Sequence, residues 1–207
     1  MRKKITNEEL SKSYERLEIR AQFDLDFICL TVFAAVICTF GFRMNSTAVI
    51  IGAMILSPIL LTIVAIGASL FRRRWKNCLE NIIVLIGGMA IVVAASFIVN
   101  IIFPTLNASE ITERIISKPV DYFFVAFFSG LAGTFAFFWP DIIEAVTGIA
   151  ISVALIPPVV LVGIALSRWD LSLLVSSLEI ALVNIIGIIL GSFTIAVGLN
   201  AYSRKYK

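Results

Sequence analysis

Six apolar stretches, most near the roughly 20 residues that a helix needs to cross a bilayer, constrain this chain more than any other feature. They cover residues 27–42, 47–71, 81–103, 122–139, 142–166 and 178–199. Hydrocarbon offers no water to pair with backbone N–H and C=O groups, so segments of this length span as helices. The expected fold is all-α, a polytopic membrane protein with six transmembrane helices and the lipid bilayer as its first partner. Composition agrees: 59% of the 207 residues are hydrophobic and 15% are charged, against about 25% charged in ordinary soluble chains. That balance excludes a soluble enzyme and a disordered chain. The net charge is only +3, and Lys and Arg gather at segment ends rather than along a stripe, so no nucleic acid is expected as a partner.

Two absences narrow the chemistry. The chain has no His, which removes imidazole metal ligands and Ser-His or Cys-His catalysis. Cys29, Cys38 and Cys78 have neither the spacing of a metal site nor that of a disulfide framework, and read as buried small hydrophobes. No catalytic residue, metal site or cofactor is expected, and the chain is not expected to be an enzyme.

Residues 1–23 are polar and charged. Thr6 and Glu9 fit a capping box, and Leu10, Tyr14, Leu17 and Ala21 recur at helical spacing, which predicts a cytoplasmic or interfacial amphipathic helix. A first three-helix unit follows over 24–103, with Asp24 and Asp26 placed at the interface. An extracytoplasmic linker over 104–120 holds a short helix around 110–117. A second three-helix unit covers 121–200, and 201–207 is a cytoplasmic tail. The N-terminus, the second loop and the C-terminus hold Arg2, Lys3, Lys4, Lys12, Arg16, Arg20, Arg72, Arg73, Arg74, Lys76, Arg204, Lys205 and Lys207. These are 13 of the 17 Lys and Arg residues. Cytoplasmic loops carry such an excess, so both termini are expected in the cytoplasm.

The two units share landmarks. Asp26 lies 13 residues before Thr39-Phe40-Gly41-Phe42, and Asp121 lies 13 before Thr134-Phe135-Ala136-Phe137. Pro58 precedes Glu80 by 22 residues, as Pro157 precedes Glu179. Gly88 and Gly187 keep the same 99-residue offset, while the first spans match at 95. Three spans is an odd number, so the second unit enters the membrane from the opposite side. The expectation is two inverted three-helix repeats, an arrangement that recurs in secondary transporters with midplane sites.

Pro58, with Ser57 before it, and Pro157-Pro158 fall near the middle of their spans. A proline inside a helix removes a donor and frees the carbonyl four residues earlier, here at Met54 and Val153, and a following proline biases Ile156 away from helical dihedrals. The breaks are expected either to form an ion or solute site, joined by Ser57, Ser152 and Asn184, or to be kinks satisfied by neighbouring helices. Glu80 and Glu179 begin the third and sixth spans. They are expected as first-turn carboxylates favoured by the helix dipole, or as gates or proton-titrating groups. Gly187-x-x-x-Gly191 and Gly148-x-x-x-Ser152 suit close helix contact and point to a tight bundle or a homo-oligomer, a dimer or trimer. The aromatic fourth span suits a wall facing lipid or another subunit.

Asn45-Ser46, Val49-Ile50-Ile51-Gly52-Ala53-Met54 and Ser57-Pro58 resemble the signature of a prokaryotic membrane family called domain of unknown function 389. Gly148-x-Ala150-Ile151-x-x-Ala154-Leu155-x-Pro157-Pro158 and Asn184-x-x-Gly187-Ile188 resemble its second half. The resemblance spans roughly residues 25–200 and implies a multi-spanning bacterial or archaeal inner-membrane protein. The expected function is transport of an ion or small solute, as transporter or channel, through a midplane site between proline-broken helices. The alternative is a non-transporting membrane scaffold or sensor.

Overall fold

The computed structural model of the protein describes residues 22–104, 119–138 and 155–205. The amphipathic helix expected before residue 22, the short helix around 110–117, and Ser152 and Val153 lie outside them. Seven helices and no strand occur among the described residues: α1 Leu25–Arg43, α2 Thr47–Leu56, α3 Ile59–Phe71, α4 Trp75–Ile102, α5 Pro119–Phe138, α6 Ile156–Arg168 and α7 Leu171–Lys205. Helices α1, α4, α5 and α7 are long and apolar enough to cross a membrane.

The second apolar stretch departs from the expected single span. It is two helices, α2 and α3, bent by 53° at Ser57-Pro58. Of the fifth stretch, the described part is α6, whose 13 residues make about 20 Å of helix, short of a hydrocarbon core about 30 Å thick. Helices α3 and α6 are the most deeply buried elements. Ile59 to Ser69 of α3 are buried apart from Leu61, and Ile156 to Ala165 of α6 are buried throughout. Each short helix packs between the same two long ones, α4 and α7.

Local chemistry explains where the helices start and stop. Asp24 caps α1, accepting from Phe27 N–H at 2.8 Å, and Arg43 ends it, so each charge faces the favourable pole of the helix dipole. Three corners share one closing pattern: a left-handed residue just past the helix, with the next N–H reaching back five residues, as in a Schellman cap. The left-handed residues are Asn45, Arg73 and Trp169, at φ of 50°, 54° and 57°. The long bonds are Ser46 N–H to Gly41 O (2.9 Å), Arg74 N–H to Ser69 O (3.1 Å) and Asp170 N–H to Ala165 O (3.0 Å). Gly41 is needed at the first corner because a Cβ there would lie 2.7 Å from Ile50 Cγ1.

The last two corners match bond for bond at a separation of 96 residues. Arg73 N–H to Leu70 O pairs with Trp169 N–H to Leu166 O, and Cys78 N–H to Arg74 O with Leu174 N–H to Asp170 O. The 99-residue offset suggested by the Pro and Glu spacings is therefore not the one that aligns these corners.

Apolar side chains also cover the outside. Leu79, Ile83 and Ile86 on α4, Phe124 and Phe128 on α5, and Val175, Leu182 and Ile186 on α7 form exposed stripes at helical spacing. Long apolar helices that turn such stripes outward belong in a bilayer, and the chain is a multi-pass membrane protein. Cys38 and Cys78 are buried as expected, but Cys29 is exposed, lying on the outward face of α1.

Candidate functional site

The break at Ser57-Pro58 is built by the proline. Its ring fixes its own φ, here −81°, and disfavours helical dihedrals in the residue before it; Ser57 is extended at ψ 127°. Helix α3 then starts with little unsatisfied backbone. Pro58 has no N–H, Ile59 N–H donates to Ser57 Oγ at 3.4 Å and Leu61 N–H to Pro58 O at 3.1 Å. The Met54 carbonyl, expected to be free, accepts from Ser57 N–H at 3.4 Å. The chain turns at the proline instead of carrying it inside a helix, and the Met54 carbonyl keeps a partner.

Pro157 and Pro158 do the same for α6. They lie in its first turn, where N–H groups have no intrahelical partner and their loss is harmless. Ile156 begins the helix, contrary to the expectation that the prolines would push it out of helical geometry. Burial of the whole first turn, with Ile156 only 3% exposed, outweighs the preference of a residue before proline.

Contacts along α4 give the depth of both starts. A Cβ added at Gly88 would lie 3.0 Å from Phe27 Cζ and 3.6 Å from Ile59 Cδ1. Gly88 is at the middle of the 28-residue α4, so α3 begins at mid-depth. Helix α6 runs parallel to α4. A Cβ at Gly163 would meet Ser96 Oγ and lie 2.5 Å from Val93 O, and four residues further along each helix Asn100 Nδ2 donates to Ser167 Oγ at 2.7 Å. Continued back at that register, Ile156 comes level with Met89. Both short helices therefore begin at the same level of α4.

Asn184 reaches this level from α7. Gly67 of α3 abuts α7, where an added Cβ would meet Ser192 Cβ and lie 2.9 Å from Ile189 O. Eight residues back along α3, the same register brings Ile59 within about a turn of Asn184, which is 1% exposed. Pro58, Pro157, Pro158 and Asn184 thus share one depth, with Ser57 half-buried beside them. Glu80 and Glu179 do not join them. Both are exposed near the starts of α4 and α7, and Glu80 pairs with Lys76 at 3.9 Å across one helical turn.

Several residues at this depth carried no signal that sequence reasoning used. The Phe27 ring fills the space over Gly88. Thr31 Oγ1, one turn beyond Phe27 on α1, and Thr62 Oγ1, one turn into α3, are fully buried without a hydrogen-bond partner, as is Ser177 Oγ, about two turns before Asn184 on α7 and so off this level. A buried unpaired hydroxyl costs about 1–3 kcal/mol, so these sites are noteworthy. The pair Gly87-Gly88 inside an apolar span was the available clue to a close ring contact. Among the described residues no group of three His, Cys, Asp or Glu comes together.

The sequence of this bundle matches one described family: its profile covers residues 54–190, from the end of α2 through most of α7. The chain belongs to the domain of unknown function 389 (DUF389) family. An uncharacterised protein of Methanocaldococcus jannaschii is 25% identical over 198 residues. That match covers 90% of the present chain and 61% of the archaeal protein, so the chain spans less than two thirds of that relative's length. No solved structure matches it.

Proposed function

We propose that this DUF389 protein moves an ion or a small solute across the membrane, as a transporter or channel, through a site where α3 and α6 begin. The observation that carries the proposal is the shared mid-depth of those two starts on α4, with Asn184 at the same level. Broken helices that end at mid-membrane beside a buried polar side chain are the usual setting of a transport site. Ser57, Pro58, Pro157, Pro158 and Asn184, with Ser152 from outside the described residues, are its proposed lining. Glu80 and Glu179, near the starts of α4 and α7 and on opposite faces in the proposed topology, are proposed as gating or titrating groups only in a state that brings water to them.

The same proposal includes the topology. Residues 24–103 and 121–200 form two inverted three-helix repeats with both termini in the cytoplasm of a cell with its protein in the inner membrane. The 96-residue equivalence of corners and helix contacts supports the repeat. A homo-oligomer, dimer or trimer, is also proposed, since exposed Ala48 and Gly52 leave α2 a small-residue face. No enzyme activity is proposed.

The test is reconstitution in liposomes with fluxes of K+, Na+, H+, Cl− and small organic ions. Flux that Pro58→Ala and Pro157→Ala each reduce, with the protein still inserted, is the expected result. No flux for any of these probes leaves the scaffold or sensor reading in place.

A further inference from the structure

We infer that Phe27 is a gate: α1 pivots at its Arg43 end, and the pivot lifts the Phe27 ring off Gly88 to open the start of α3 to water. The inference takes its purpose from the transport proposal. The mechanical argument stands on how α1 is held.

The two ends of α1 are held differently. At one end, Arg43 Nη1 donates to Pro104 O at 2.8 Å, the Arg43 guanidinium lies 5.9 Å from the Phe103 ring centroid, and Phe40 and Phe103 rings pack at 5.5 Å. All three contacts tie α1 to the two residues that follow α4. At the other end α1 meets α4 through two aromatic rings on two glycines: Phe23 over Gly87 and Phe27 over Gly88, each 3.0 Å from the position a Cβ would take; beyond Phe27, α1 packs also on α2 and α6. The Arg43 bond is a polar contact between α1 and the residues that follow α4; Thr39 Oγ1 turns back to Ala35 O at 2.7 Å.

Helix α5 shows what a fixed counterpart looks like. It lies against α7 with backbone in contact with glycine: Gly130 against the Ile188 backbone, Gly187 at 2.9 Å from Phe123 O and Gly191 at 2.8 Å from Leu131 N, counted from an added Cβ. Thr134 and Ser192 hydroxyls add a buried hydrogen bond of 2.6 Å. Three backbone approaches and a hydrogen bond hold α5 in one arrangement, whereas Gly87 and Gly88 of α4 are met by side chains alone.

Two further features favour opening at the Phe27 end. Thr31 Oγ1, on the same face of α1 as Phe27, has no partner in this closed arrangement, and water entering beneath the ring would supply one. Asp24 and Asp26 are exposed within three residues of Phe27, hence near the level of the middle of α4. Carboxylates at that depth are costly in hydrocarbon, so water reaching this end of α1 would stabilise them.

Charged methanethiosulfonate labelling tests the gate without any transported solute. The background is the protein with Cys29, Cys38 and Cys78 replaced by Ser, except where Cys38 is the probe. Thr31→Cys is expected to react about tenfold or more faster than Ala136→Cys on α5, since a minor open state at the per cent level suffices for labelling. Phe27→Ala, or Phe27→Leu if the alanine variant fails to fold, is expected to raise the Thr31→Cys rate by about tenfold again, because truncating a buried ring removes contacts of the closed state. Native Cys38, near the held end, is expected to stay as slow as Ala136→Cys. Equal, slow labelling of Thr31→Cys and Ala136→Cys with and without Phe27 would overturn the gate, even if flux is found. Labelling of Cys38 as fast as Thr31→Cys would also overturn it, because α1 would then be leaving as a whole. The expected labelling pattern without flux would keep the gate and end the transport proposal.

Discussion

Gly163 on α6 lies directly against Ser96 on α4, so closely that a Cβ at residue 163 would meet the serine hydroxyl. At a separation of 96 residues the partners change places: Gly67 on α3 lies against Ser192 on α7. Val93 and Phe97 around the first contact correspond to Ile189 and Phe193 around the second, all at 96 residues. Each half thus lends its short helix to the long helix of the other half, and the core is an exchange between them.

Overpacking these contacts should be costly. Gly163→Ala and Gly67→Ala are expected to destabilise the protein by about 1–3 kcal/mol each, since backbone as well as a short serine side chain is in the way. Gly52→Ala and Gly198→Ala, where an added Cβ meets nothing within 4 Å, should be neutral or slightly stabilising because Ala favours helix over Gly. Thermal unfolding in detergent, followed by size-exclusion chromatography, ranks the four variants.

The Thr134–Ser192 bond gives a second prediction. Thr134→Val keeps the shape but leaves the buried Ser192 hydroxyl without this partner, with an expected loss of about 1–3 kcal/mol. Thr134→Ser retains the hydroxyl and should lose less. A thermal shift series on the two variants measures the difference, and equal shifts would show that shape and not the hydrogen bond matters.

Pro58→Ala restores a backbone donor where α2 meets α3. The 53° bend is expected to decrease as the chain gains the option of a continuous helix. Spin-label distances between positions 48 and 68, on α2 and α3, should lengthen; an unchanged distance would mean that packing, not the proline, holds the bend.

Membrane orientation is measurable directly. Reporter fusions after Ser109 and after Lys207 are expected on opposite sides, with the C-terminal one in the cytoplasm, because 13 of the 17 Lys and Arg residues lie in segments of one predicted side. A periplasmic C-terminus would overturn both the orientation and the inverted repeat.

Much of the architecture was legible in the residues. Apolar runs located α1, α4, α5 and α7, and Pro58 and Pro157 marked where spans break. The small-residue pair Gly187 and Gly191 correctly announced close helix contact, although α5 of the same chain fills that contact and no second subunit is required for it. The spacing of the proposed repeat differs between the sequence landmarks and the structure. Pro58/Pro157 and Glu80/Glu179 share an offset of 99, whereas hydrogen bonds at the corners share 96, because prolines and surface carboxylates tolerate a shift of a few residues and a Gly–Ser contact between backbones does not.

The sequence by itself determined that this chain lives in a bilayer, is helical, and cannot run straight through at Ser57-Pro58. Those outcomes follow from hydrophobicity, backbone hydrogen bonding and the proline ring, all local properties. Only the tertiary structure decided that α3 and α6 start level with each other at the middle of α4, that Glu80 and Glu179 point outward, and that Phe27 rests on Gly88. These depend on which faces of uniformly apolar helices meet, and in such helices hydrophobicity does not distinguish one face from another. Small differences in side-chain volume decide it: a missing Cβ at Gly67, Gly88 or Gly163 admits a neighbour that any larger residue would exclude.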